Sequence, residues 1–334
     1  MKKNTRIFAL MLCLSILSAC GGEAPPQDAA NTPPTEEVVE APTETTKETA
    51  ALSFTDAAGN QITLEATPEK VVSCIGSYAE MWELAGGTLV GVTNDAVTEN
   101  RVNNAEALAN VGLNSEPNTE EILALQPDFV ILSPNQKAHQ EVSQVVAQAG
   151  IPYAFFDVEN FEDYLEVMKI FTDITGREDL YQQNTLAIKD QIDGIIAKCA
   201  QAEEKPTVLF IRAFSTGAKA KGDDNMTGKM LADLGVDNIA ARHESLLEEV
   251  SMEAIIAEDP DYIFVVTMGS SSEKALEGLR NTIEANPAWN TLKAVQEDHY
   301  IVLPKELFHF KPNAKWGEAY EYLAEILYPE LFTK

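Results

Sequence analysis

The phrase EEILALQPDFVIL at Glu120–Leu132 returns as EAIIAEDPDYIFV at Glu253–Val265. In register, Glu120, Ile122, Ala124, Pro127 and Asp128 align with Glu253, Ile255, Ala257, Pro260 and Asp261, and Phe129-Val130-Ile131 with Tyr262-Ile263-Phe264. Each copy reads as a helix stopped before a proline, then an apolar run short enough for a buried strand. A chain that writes this unit twice is constrained towards two lobes of like architecture.

The surroundings of each copy agree. After an alternating pair of runs around the turn Ala58-Gly59-Asn60, which predicts a hairpin, come apolar runs at Val71–Ile75, Leu89–Val92, Phe129–Leu132 and Tyr153–Phe156. Helical stretches separate them at Ala79–Ala85, Thr119–Leu125 and Gln140–Ala149, with glycines after the first and last. The order repeats later: Thr207–Ile211, a helix over Gly228–Leu234, the second copy of the phrase, and Tyr300–Leu303. Strand and helix in alternation predict an α/β fold with mainly parallel sheets. Between the halves, Arg177–Ala200 lacks proline and places Ile188, Ile192, Ile195, Ile196 and Cys199 on one helical stripe. The expected architecture is two similar α/β lobes joined by one long α-helix, with a ligand cleft between them. The expected boundaries are an N-terminal lobe over 52–160, a linking helical segment over 161–204 and a C-terminal lobe over 205–334.

The start of the chain belongs to neither lobe. Lys2, Lys3 and Arg6 precede an apolar run from Ile7 to Leu17, too short for a resident membrane span and suited to a secretory signal over 1–19. It ends in Leu17-Ser18-Ala19-Cys20, which resembles the lipobox of bacterial lipoproteins and implies acylation of Cys20. Acyl chains contribute about 0.8 kcal/mol per buried methylene, so two or three hold a protein stably at a membrane. From Cys20 to Ala51 the chain is rich in Pro, Thr and Glu, as in TPPTEEVVEAPTETTKET, and reads as an extended stalk. The expected location is extracytoplasmic and lipid-anchored.

The formal charge of −29 sets repulsion against phosphodiester chains, so nucleic acid is not an expected partner. Outside the leader, Cys74 and Cys199 have no CxxC or Cys/His neighbour at metal-site spacing, so they read as buried apolar residues, with a disulfide between them left open.

With TDAAGNQITLEATPEKVVS, NTEEILALQPDFVI, VSMEAIIAEDPDYIFV and NPAWNTLKAVQEDHYIVLP in view, the chain from about Ser53 to Thr333 resembles the substrate-binding lipoproteins of ABC importers, in the helix-linked class that captures ferric siderophores, haem or cobalamin. The resemblance implies a monomer that delivers an iron complex, most simply a ferric siderophore, to a permease dimer, with no catalytic residue and no cofactor of its own. It implies that an acidic residue on each lobe meets an Arg-rich pocket of one permease subunit. By motif position these residues are Glu120 and Glu253, with Glu121 adjoining. A haem or cobalamin receptor is the alternative within the family; a surface sensor or adhesin is the alternative outside transport.

Ligand-facing loops lie beyond the carboxyl ends of parallel strands. Cations are scarce in this chain, yet Arg212, Lys219 and Lys221 cluster after one strand and suit an anionic iron chelate; ordinary solvated loop charges are the other reading of the two lysines. Tyr78 and His309 fall on loops of opposite lobes as haem axial ligands if the ligand is haem, or as residues packing against or hydrogen-bonding another ligand, with wall material a further reading of Tyr78. Lys311 accompanies His309. His139, His243 and His299 read as structural or surface residues. A stretch at Gly222–Met230 is similar to a phosphate-binding loop, but it has five residues between its glycines and Met230 where a hydroxyl is needed.

Overall fold

The structure, a computed structural model, describes residues 51–243, 246–247 and 250–332. The expected signal, Cys20 and the stalk up to residue 50 lie outside the described residues.

The described chain opens with an antiparallel hairpin of β1 (Leu52–Thr55) and β2 (Gln61–Leu64). Asp56 builds its turn, accepting the amides of Ala58 at 3.0 Å and Asn60 at 2.8 Å. The first lobe follows: β3 (Val71–Ser73), β4 (Leu89–Val92), β5 (Ala109–Asn110), a small hairpin of β6 (Gly112–Leu113) and β7 (Glu116–Pro117), then β8 (Phe129–Leu132) and β9 (Tyr153–Phe155). Its parallel sheet has the order β5-β4-β3-β8-β9. The second lobe contains β10 (Thr207–Phe214), β11 (Gly217–Ala220), β12 (Asp237–Asn238), β13 (Tyr262–Thr267) and β14 (Tyr300–Val302). There β12, β13 and β14 add in parallel, with β13 between β10 and β14, and β11 closes an edge as an antiparallel return. Thus β8 and β13, the strands of the repeated phrase, each sit between the lobe's first strand and its last. Every residue of β8 is buried, as covered parallel strands require.

Two helices lie between the sheets, and the second is the expected long link. Phe161–Thr175 starts in a capping box between Asn160 and Asp163 and stops at Gly176, whose φ of 70° is left-handed. It packs Phe171 edge-on against Trp82 at 5.3 Å and Phe156 at 4.7 Å, so it completes the core of the first lobe beyond the expected boundary at residue 160. Its Phe161 and Tyr164 also reach Trp316 of the second lobe, at 5.7 and 6.4 Å. The expected long helix then runs from Glu178 to Cys199, about 33 Å at 1.5 Å per residue, with a π turn over Gln182–Leu186. Ile188, Ile192, Ile195 and Cys199 are its buried residues.

The largest apolar cluster runs without a break from Trp82 and Phe129 through this helix to Phe264, Trp316 and Leu323. A core shared by both lobes restrains how far they can swing. Cys74 and Cys199 are both buried free thiols, which closes the disulfide question, and burial pushes the Cys199 thiol up to about 11. Among the described residues no helix is long and apolar enough to cross a membrane.

Candidate functional site

A cavity of about 330 Å³ opens where the two lobes meet, lined by Val158 and Glu159 after β9, by Arg212, Lys221, Asp224, Asn225 and Met226 around the β10–β11 hairpin, and by His309 and Lys311 after β14. These segments all follow the carboxyl ends of parallel strands or the hairpin beside them, where α/β lobes present ligand groups. Four of the six residues expected at the ligand site therefore converge: Arg212, Lys221, His309 and Lys311.

Arg212 is not on a loop. Strand β10 continues to Phe214, turns at Ser215-Thr216 and returns as β11, so Arg212 lies inside the strand, opposite Lys219. Alternation missed this because Ala213, Ala218 and Ala220 are small and the turn rests on Gly217, at a φ of 143°. Cross-strand pairing places Arg212 and Lys219 on the same sheet face. Lys219 is exposed and lines a separate shallow hollow with Phe214, Thr216 and Thr282, not the cavity. The Arg212 Nε is buried with no partner among the described residues, and burial works to lower the guanidinium pKa while Asp224 and Glu159 work to raise it. An orphaned cationic donor at a cavity wall is costly in the free protein and ready for an anionic acceptor.

His309 has the same character. Its Nδ1 is buried without a partner among the described residues, and burial, followed by the charges of Lys305, Arg212 and Arg101, lowers its pKa to about 4. The imidazole is therefore neutral at physiological pH. Lys311 Nζ donates to the Val158 carbonyl, and burial pulls its pKa down against the opposing carboxylates of Asp157, Glu159 and Asp163. The cavity is thus lined by three cations, one neutral imidazole and two rim carboxylates, Glu159 and Asp224.

Of the readings of Tyr78, the structure removes the ligand-facing ones. It is 1% exposed within the helix Gly76–Leu84, with the Lys311 ammonium 5.9 Å from its ring centroid. Burial, with Asp157 adding to it, raises its phenol pKa, although Ser133 and the Val158 backbone oppose the shift. It is wall material behind Lys311, and no axial phenolate is presented to a ligand.

Glu120 and Glu253 occupy equivalent places. Asn118 caps the helix Thr119–Ala124, accepting the Glu120 and Glu121 amides, and Ser251 caps Met252–Glu258, accepting the Ala254 amide. Each glutamate is the second residue of its helix and is exposed. Neither carboxylate takes part in an ion pair or side-chain hydrogen bond with another described residue.

The other histidines are accounted for. His139 is fully buried; its Nδ1 accepts the Ser133 amide at 3.0 Å, so Nε2 is the N–H that donates to the Asn114 carbonyl at 2.8 Å. His243 meets Glu258 at 2.6 Å. His299 stacks on Tyr262 at 4.4 Å. A larger hollow of about 500 Å³ lies at the opposite ends of β10 and β13, but Lys293 there is paired with Asp261 at 2.6 Å and His299 is already stacked. No group of three or more His, Cys, Asp or Glu among the described residues is arranged to hold a metal ion. Sequence reasoning passed over Val158 and Glu159, although the rule about strand ends locates the turn after β9.

Two α/β lobes sharing one core, with a polar cavity at their junction, define a solute-binding protein. The periplasmic binding protein model matches residues 71–307, and the chain belongs to that family. It is 24% identical over the whole of both chains to an uncharacterized ABC transporter substrate-binding lipoprotein, YvrC, of Bacillus subtilis. It is 26% identical to the Fe(3+)-citrate-binding protein YfmC of the same organism, covering 70% of this chain and 72% of that one. Among solved structures, S. aureus IsdE complexed with heme matches with a TM-score of 0.65 at 18% identity, covering 78% of this chain and 98% of that one, a likeness of fold.

Proposed function

We propose that this protein is the extracytoplasmic receptor of an ABC importer and that it captures an anionic ferric chelate in the cavity between its lobes. The observation that carries this reading is the convergence of Arg212, Lys221 and Lys311 with the neutral His309 on one cavity, with the Arg212 Nε and His309 Nδ1 lacking partners among the described residues. The iron stays in its chelate: the cations meet the ligand's carboxylate, catecholate or hydroxamate oxygens, and His309 offers a hydrogen bond without a charge. A cavity of about 330 Å³ is at the small end for ligand pockets and suits a compact chelate better than a tetrapyrrole. The buried Tyr78 argues against haem. The name of the iron–citrate relative supports the same class.

Delivery requires a partner. The exposed, equivalently placed Glu120 and Glu253 suit an Arg pocket on each half of a permease dimer, because a carboxylate in a helix's first turn is favoured there and stays open to a bidentate guanidinium. The lipobox at Cys20 and the stalk after it provide the tether, in keeping with the lipoprotein name of the full-length relative. The receptor acts as a monomer and no residue performs a covalent step.

A titration of the purified protein by Trp and Tyr fluorescence, with ferric citrate, a ferric hydroxamate, a ferric catecholate, haemin and cobalamin, tests the reading. Saturable quenching by one ferric chelate at sub-micromolar concentration is expected. Tight binding of haemin with a new Soret band, and none of the ferric chelates, overturns it.

A further inference from the structure

The wall that carries His309 and Lys311 belongs to the second lobe but is fastened to the first. Arg101, after the short helix Asn94–Thr98, has a side chain only 8% exposed. Its Nη1 donates to Glu80 Oε2 at 2.8 Å and to the Lys311 carbonyl at 2.9 Å, and its Nε donates to Glu99 Oε2 at 3.1 Å. The guanidinium also lies 5.2 Å from the Phe310 ring centroid. Two residues past Lys311, the fully buried Asn313 donates its side-chain amide to the Ser77 carbonyl at 2.9 Å and to the same Glu80 Oε2 at 2.8 Å. One carboxylate oxygen of the first lobe thus gathers Arg101 and Asn313 onto the segment between them.

We propose that Arg101 is a positioning residue for the ligand site: by holding the Lys311 carbonyl beside Glu80 it fixes the 309–313 segment across the lobe boundary, with His309 and Lys311 turned into the cavity. The inference rests on the ligand reading of that cavity. Burial of the Lys311 ammonium works against its charged form, which favours swinging it out into water. The hold on its backbone adds to the ammonium's own bond to the Val158 carbonyl and leaves the ammonium's remaining donors at the cavity. Only a guanidinium serves two carboxylates and a carbonyl from one planar fork; a lysine ammonium on a flexible stem reaches fewer of them in fixed geometry.

The test compares unmutated protein with Arg101→Met and Arg101→Lys by amide hydrogen exchange without ligand and by titration with ferric citrate, a ferric hydroxamate and a ferric catecholate. In Arg101→Met the amides of His309, Phe310 and Lys315, now bonded to Lys305 and Pro312, should exchange faster. Affinity for whichever chelate binds should fall about tenfold, the scale of one lost charge-assisted hydrogen bond, with Arg101→Lys in between. Should Arg101→Met fail to fold, Glu80→Gln, which keeps the shape and removes the pinning charge, carries the same comparison. No binding of any ferric chelate by unmutated protein overturns the ligand reading. Chelate binding by unmutated protein with unchanged affinity in the variants, whether or not exchange rises, overturns the positioning role alone.

Discussion

Asp128 and Asp261, the aspartates of the two copies of the repeated phrase, perform the same closure in the two lobes. Asp128 accepts the amides of Glu69 and Lys70, both at 2.8 Å, just ahead of β3. Asp261 accepts the Thr207 amide at 2.9 Å and its hydroxyl at 2.8 Å, at the start of β10. In both cases the carboxylate leads into one parallel strand and ties down the entry of its neighbour. The residues two positions earlier, Gln126 and Asp259, are both left-handed, at φ 50° and 39°, and end the preceding helix before the proline. The phrase is repeated because helix stop, proline and aspartate together set one strand beside another.

Asp261 should make stability depend on pH. Burial works to raise its pKa, but the Lys293 ammonium and the Thr207 amide and hydroxyl outweigh it and hold the carboxyl below the usual range. A depressed folded pKa contributes stability that is present above the unfolded value near 3.9 and lost as pH falls through the folded value. Asp261→Asn should cost about 1–2 kcal/mol at pH 7. In urea unfolding the gap from wild type should shrink below pH 4, and an equal gap at pH 7 and pH 3 would contradict this.

His309 should act in the opposite pH range. Its folded pKa of about 4 lies below the unfolded value near 6.5, so between those values the unfolded chain binds more protons and stability falls as pH falls. His309→Gln should flatten the stability profile over that window, measured by urea unfolding at half-unit pH steps. An imidazole resonance titrating near 6.5 in folded wild-type protein would contradict the assignment.

Arg212→Met should weaken binding of the ferric chelate by about ten- to hundredfold, since it removes a charge-assisted donor at a desolvated wall. Lys219→Met, on the same sheet face but outside the cavity, should change affinity by less than about twofold. Isothermal titration of both variants separates them, and equal losses would mean that the cavity is wrongly drawn.

Glu120→Ala combined with Glu253→Ala should leave chelate affinity within about twofold of wild type and lower uptake by the reconstituted importer at least about tenfold, as expected for charges at a partner interface. Normal uptake by the double variant would remove both glutamates from the docking surface.

The order of elements was legible because each local signal repeats: apolar runs of strand length, helices stopped by glycine or proline, and one phrase written twice. The stripe of Ile188, Ile192, Ile195 and Cys199 likewise announced the linking helix. The β10–β11 hairpin was not legible, because its alanines carry little periodic contrast. The same rule of strand ends picked out the segment of His309 and Lys311, which lines the cavity, but left open whether Tyr78 faces a ligand or forms wall, since periodicity says which residues begin a helix but not what covers them.

Local sequence thus determined two α/β lobes, a linking helix and a scarcity of cations that made Arg212, Lys221 and Lys311 conspicuous, since these depend on residues within a few turns of one another. Only the tertiary structure decided that these cations share a cavity, that Tyr78 is closed behind Lys311, and that Arg101 reaches the carbonyl of Lys311 across the lobe boundary. Such relations join residues up to 233 positions apart, as Tyr78 and Lys311 are, and they exist only after burial has fixed which faces meet.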